Sequence, residues 1–147
     1  MPVLIQNKKV YFDYEILEKF EAGIELLGFE VKSLKTKHGS ITGARVLVRG
    51  DEAFVVGMEI PAFQSHNIHK KYEADRTRRL LLNKKELSYL AGKSQQIGLT
   101  IVPISVYTKH NLIKMEIGLV KGKKKFDKRE TIKKRETNRN IEREMKR

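Results

Sequence analysis

The 147-residue chain has no cysteine and no tryptophan, only three prolines, and 18 acidic residues against 31 lysines and arginines. Without cysteine there is no disulfide, no thiol nucleophile and no Cys-zinc site, which suits a reducing compartment. No run of 18 apolar residues occurs, so no helix of this sequence is expected to span a bilayer. The start, Met1-Pro2-Val3-Leu4-Ile5-Gln6, lacks the basic and long apolar regions of a signal peptide. Phosphate-loop, G-x-S-x-G and H-E-x-x-H patterns are missing too. His66 and His69 have an H-x-x-H spacing. Zinc needs a third and fourth ligand in place, so surface or RNA-contacting imidazoles are the better reading there. His38 and His110 fall in turns. Acidic residues are spread along the chain, and nothing specific supports a paired-carboxylate site.

What the sequence has is positive charge, formally +13. The last 27 residues, 121–147, hold thirteen lysines and arginines against five acids, a net +8, which leaves +5 for residues 1–120. The segment's apolar residues are Phe126, Ile132, Ile141 and Met145. Ile132 and Ile141 are nine positions apart and point to opposite sides of a helix, so no apolar stripe exists to dock the segment on a core. Asp127 with Glu130 is a variant capping box, and Glu130–Lys134 and Glu142–Lys146 are favourably ordered i,i+4 pairs. The expectation is a tail that is disordered alone and helical against a polyanion. Its narrow apolar face argues against a membrane surface, which leaves nucleic acid as partner. The remaining 120 residues can bury roughly two-thirds of their unfolded surface, enough for one real core.

Within that domain, alternation from Ile16 through Phe20, Ala22, Ile24 and Leu26 predicts a strand with one buried face. Lys19, Glu21, Gly23 and Glu25 then point outward. Glu18 breaks the alternation, so a bulge or strand end is expected there. Leu27, Val31 and Leu34 predict a short helix over 28–35, and residues 36–43 a basic loop. Ala44, Val46 and Val48 open a hairpin that turns at Gly50-Asp51 and returns over 53–60. Residues 65–75 read as a polar, mobile loop. Leu80-Leu81-Leu82 suits a short strand or a helix entry, and a helix over 84–96 stops at Gly98. Residues 99–108 form a strand whose Pro103 implies an edge or a bulge. After a turn at Lys109-His110-Asn111, residues 113–119 form another. Strands dominate, and a small, mostly antiparallel barrel with helices plugging its ends closes this order. Tyr11, Phe12 and Tyr14 follow Lys8-Lys9 and either stack on RNA or enter the core.

Three stretches carry a resemblance. Residues 21–34, Glu21-Ala22-Gly23-Ile24-Glu25-Leu26-Leu27-Gly28-Phe29-Glu30-Val31-Lys32-Ser33-Leu34, look like the E-A-G-x-x-L-x-G-x-E-V-K-S-L signature of the bacterial SsrA-binding protein (small protein B, SmpB) family. Arg76-Thr77-Arg78-Arg79-Leu80-Leu81-Leu82 resembles its R-x-R-K-L-L-L stretch. Gly118-Leu119-Val120-Lys121-Gly122-Lys123-Lys124, followed by Asp127-Lys128-Arg129, is similar to its G-x-A-x-G-K-K…D-K-R motif. The likeness runs from about residue 7 to 143.

The resemblance implies a mainly β fold, a small six-stranded antiparallel OB-like barrel with short flanking helices. Residues 1–120 would be the RNA-binding domain and 121–147 the basic tail. It implies a non-enzymatic cytoplasmic protein, without cofactor or metal, that carries transfer-messenger RNA (tmRNA) to stalled ribosomes for trans-translation. The implied partners are tmRNA, the decoding centre and message channel of the small ribosomal subunit, and a tRNA-delivering elongation factor. Asn7, Glu21, Leu81, Asn83 and Lys114 match positions implicated in tmRNA binding. Glu21 and Lys114 could instead form an outward salt bridge, even with each other. Gly122, Lys123, Lys124, Phe126, Asp127, Lys128 and Arg129 match the part that acts in the decoding centre. Gly122 falls where the chain bends. Phe126 stands where the family places a ring able to stack on a base. A ribosomal structural protein would share charge, barrel and tail, whereas an RNA-processing nuclease would need a carboxylate cluster and a metal. The RNA that co-purifies, and whether metal cleaves it, separates the three.

Overall fold

A computed structural model describes residues 2–62 and 71–123. Its elements are β1 (Val3–Gln6), α1 (Lys9–Asp13), β2 (Tyr14–Ile24), α2 (Gly28–Lys35), β3 (Arg45–Arg49), β4 (Glu52–Val56), β5 (Arg78–Leu81), α3 (Lys84–Ser94), β6 (Leu99–Lys109) and β7 (Leu112–Gly122). The expected mainly β, antiparallel fold with short helices is what the chain adopts.

The strand count differs from expectation. Seven strands form one sheet in the order β1-β6-β7-β2-β5-β4-β3, and every ladder is antiparallel. The seventh is β1, four residues added along β6. No ladder joins β1 to β3 among the described residues, so the hydrogen-bonded sheet is open rather than a closed barrel. It curls instead, bringing β3 close to β6. The return strand of the first hairpin is also shorter than expected. Gly57, at φ +84°, ends it, and the chain continues to a single bridge between Ser40 and Glu59.

The long hairpin of β6 and β7 is the backbone of the sheet. Its two-residue turn is His110-Asn111, both at positive φ (52° and 63°), the geometry of the hairpin turn whose twist matches paired strands. Pro103 cannot donate to a ladder, and the register shifts between Pro103 and Ser105. A second shift falls between Ile16 and Glu18, where the alternation broke in the sequence.

One face of the sheet makes the core. Ile5, Val106, Met115 and Ala22 stand opposite one another across β1, β6, β7 and β2, and Val106, Met115 and Ala22 are wholly buried. Leu34 of α2 and Leu90 of α3, both fully buried, close this core. The opposite face is divided. Towards Gly122, α1 lays Val10 on Val102, Ile104 and Val120, with Tyr14 and Ile16 at the margin. Gly118 makes this fit possible, since a Cβ there would sit 2.8 Å from Ile104 Cδ1. Towards the His110-Asn111 turn, no helix of the described residues lies over the outer face.

Candidate nucleic-acid interface

Residues directly opposite in an antiparallel ladder share a face. Val3 pairs with Tyr107, Tyr107 with Lys114, Lys114 with Gly23 and Gly23 with Leu81. These five residues form a row across β1, β6, β7, β2 and β5 on the uncovered face. A second row beside it is Gln6, Ser105, Glu116 and Glu21. Three residues singled out in the sequence, Glu21, Leu81 and Lys114, are thus brought together by register alone. Leu81 is 48 % exposed, an apolar surface in a polar row. Gly23 keeps a slot between Leu81 and Lys114, for a Cβ would lie 3.3 Å from Leu81 Cβ and 3.7 Å from Lys114 Nζ.

Glu21 is exposed but not loose. Tyr107, itself buried, donates its hydroxyl to Glu21 Oε2 at 2.5 Å, and Lys109 Nζ lies 3.3 Å from both carboxylate oxygens. The ion pair weighed between Glu21 and Lys114 is not the one formed; Lys109 takes that place. The Tyr107 hydrogen bond holds the Glu21 carboxyl below its ordinary range, with Lys109 and the field of Lys114 adding to it. Burial and the same hydrogen bond push the Tyr107 hydroxyl well up, so it stays a donor. The result is a charged acceptor fixed beside a cation, suited to base amino groups or a 2′-hydroxyl on one side and phosphate on the other. Sequence reasoning missed Tyr107 and Lys109. Their signal was the register of the β6–β7 hairpin, counted back from a two-residue turn.

Asn83 sits just beyond β5 as the cap of α3. Its Oδ1 accepts from Glu86 N–H at 2.8 Å, and Glu86 Oε1 accepts from Asn83 N–H at 3.4 Å. It remains exposed. Asn7 is placed differently. It is 6 % exposed, its N–H donates to Ile104 O at 2.9 Å, its side-chain amide reaches Ile41 O at 3.5 Å, and its Oδ1 accepts from Lys9 N–H. It lines a separate cleft with Lys9 and Arg45. The structure therefore gives Asn7 the entry to α1 and does not bring it into the two rows.

The aromatic residues near the N-terminus divide. Tyr14 packs at the edge of the α1 cluster, whereas Tyr11 is 40 % exposed with Lys19 Nζ 5.6 Å from its ring centre. Gly122 is the last residue of β7, still in the ladder opposite Tyr14. Lys123 then anchors the chain, N–H to Asp13 O and Nζ to Tyr11 O, each at 3.0 Å. The remaining tail residues, Lys124, Phe126, Asp127, Lys128 and Arg129, lie outside the described residues, as do His66, His69 and most of the 65–75 loop. From Lys114 to Gly122 is eight residues of strand, roughly 27 Å, so the tail leaves far from the Glu21–Lys114 rows.

The model of the SmpB protein family matches residues 4–147. The SsrA-binding protein of Thermosipho africanus is 46 % identical over 148 residues, covering 100 % of this chain and 99 % of the relative. That of Mycoplasma mycoides is 46 % identical over 137 residues, 93 % of each chain. A solved structure described as "tmRNA-SmpB: a journey to the center of the bacterial ribosome" shares the fold with a TM-score of 0.70 and 38 % identity, over 85 % of this chain and 87 % of that one.

Proposed function

The chain belongs to the SmpB protein family, and from that premise we propose that it binds tmRNA (SsrA RNA) and delivers it to stalled ribosomes for trans-translation, so that the stalled peptide is tagged and the ribosome freed. The observation that carries this reading is the pair of outward rows holding Leu81, Gly23, Lys114 and Glu21 on one uncovered face. A fixed carboxylate, a neighbouring ammonium and an exposed leucine beside a glycine slot offer a base acceptor, a phosphate partner and an apolar seat for a splayed base. Asn83, exposed at the adjacent helix start, extends this face. Asn7 acts through the entry to α1 that it holds.

The protein works by binding and carries out no bond chemistry of its own. The tail acts in a second place. An empty message channel is lined by RNA and carries negative potential, and a segment of net +8 without an apolar stripe is attracted there and folds on arrival. In this reading Phe126 offers a stacking ring, and Asp127, Lys128 and Arg129 meet the decoding centre of the small subunit. A tRNA-delivering elongation factor joins the delivery complex, and the setting is the cytoplasm.

The test is peptide tagging in a translation system stalled on messages without a stop codon. Removing residues 124–147 keeps the Lys123 anchor and all of β7. Tagging should disappear, while tmRNA affinity stays within about tenfold, or 1.4 kcal/mol. Normal tagging by the truncated chain would remove the tail from this account.

A further inference from the structure

The rows that read RNA end at a corner that none of the positions above include. The last turn of α2 and the turn between β6 and β7 face each other across a cleft of about 400 Å³ lined by Pro2, Lys35, Thr108, Lys109, His110 and Asn111. Among the described residues no acidic one lines it. The ion pairs among the described residues leave Lys35 and His110 out, and the only acid that reaches Lys109 is Glu21, from the neighbouring row. Lys32 and Lys37 lie within three residues of Lys35 and are exposed as well. The walls are fixed. His110 and Asn111 occupy the two positive-φ positions of a tight turn, and Thr108 N–H donates to Pro2 O at 3.2 Å. Two lysines, a histidine, an asparagine and a threonine therefore line one concave site, and no carboxylate of the described residues is in its wall.

Such a set matches one ligand chemistry, a phosphodiester with its charge and several acceptor oxygens. We infer that this cleft is a phosphate-binding subsite for an RNA backbone, with Lys35, Lys109 and His110 as its polar walls. The inference rests on the reading of the chain as an RNA-binding protein and adds a place where the strand continues. Lys114 is two residues into β7 from Leu112, where the turn ends, roughly 7 Å of strand, about one nucleotide step of an extended backbone. Lys109 links the two places, since it touches the Glu21 carboxylate and also lines the cleft. RNA held at Glu21 and Lys114 can thus run off the sheet past Lys109 into the corner, in the direction away from the tail.

Lys35 is the residue to change, because it is exposed at the end of α2 and is not part of the Glu21 network. In the full chain, Lys35→Gln should lower the slope of log affinity for tmRNA against log salt by about 0.7 to 0.9, one phosphate contact, and leave the melting curve in place. Lys35→Arg should restore the slope. The same salt series with ribosomes lacking tmRNA separates the two sources of phosphate. A changed slope there and not with tmRNA places ribosomal RNA in the cleft, and the reverse places tmRNA. Unchanged slopes in both series overturn the subsite. Wild-type protein that does not prefer tmRNA over a control RNA of equal length would sink the functional reading instead, whatever the Lys35 variants do.

Discussion

Glu30 and Arg78, 48 residues apart in sequence, form an ion pair in which neither side chain is exposed at all. Arg78 Nη2 and Nε donate to Glu30 Oε2 at 2.7 and 2.9 Å. The remaining Arg78 donors reach the carbonyls of Met58, Ala74 and Arg76 at 2.7 to 3.0 Å. Glu30 also accepts from Tyr72, from Arg76 and from Leu27 N–H. This cluster ties α2 to the segment entering β5, and so fixes where Leu81 meets Gly23. Arg78 lies in the middle of the cationic stretch Arg76-Thr77-Arg78-Arg79, yet its charge is held inside the fold.

Breaking that pair should be costly. Glu30→Gln keeps the volume and removes the charge, leaving a buried guanidinium without its counterion, a change of the kind that costs about 3 to 5 kcal/mol. Urea unfolding should show that loss. A decrease below about 1 kcal/mol would mean that the backbone carbonyls alone sustain Arg78.

The same group sets an acid limit. Burial alone would raise the Glu30 carboxyl, but the hydrogen bonds from Arg76, Leu27, Arg78 and Tyr72 overcome it and hold the group at about 2, against 4.5 for the free side chain. Between those values the unfolded chain binds the extra proton, so stability is complete above about pH 4.5 and falls as pH drops through 2. The total is roughly 3 kcal/mol. Unfolding free energies measured from pH 5 to 2 should show this slope, and Glu30→Gln should flatten it.

Much of the fold was legible because it was local. The α2 helix at 28–35 follows from Leu27, Val31 and Leu34, and the bulge near Glu18 from one residue on the wrong face. The strand β1 was not legible. Four residues, Val3 to Gln6, are too few for an alternation to stand out, and their place depends on the edge that β6 offers. Nor was the open sheet, because closure depends on how the two edge strands approach in space. Of the candidate site, Glu21, Leu81 and Lys114 were legible through the family likeness, and register explains why they meet. Tyr107 and Lys109 were hidden in an apolar strand and its turn. Asn7 was named through the family likeness alone; its Oδ1 accepts from Lys9 N–H at the entry to α1, a contact that no periodicity in the sequence shows.

Lys114 should act through charge. It is half-buried and makes no ion pair among the described residues, so Lys114→Ala should leave the melting temperature nearly unchanged. Its tmRNA affinity should fall and its salt slope drop by about one phosphate contact. A large loss of melting temperature with the slope intact would assign Lys114 to the fold rather than to RNA.

Arg135 tests whether the tail needs a helix on the ribosome. Arg135→Pro removes an interior N–H and costs a helix about 3 kcal/mol, while the net charge changes by one. Arg135→Lys keeps both charge and helix. Tagging should be lost with proline and kept with lysine, and tmRNA binding kept in both. Equal tagging by the two variants would show that charge suffices.

The central claim is that the Glu21–Lys114 face selects tmRNA. Wild-type protein and the double variant Glu21→Gln, Lys114→Ala should each be recovered from bacterial lysate and their bound RNA sequenced. The account predicts strong tmRNA enrichment for the wild type and its loss for the double variant, with both proteins equally folded by circular dichroism. Stoichiometric ribosomal RNA without tmRNA in the wild-type sample, or equal tmRNA enrichment in both, would contradict it.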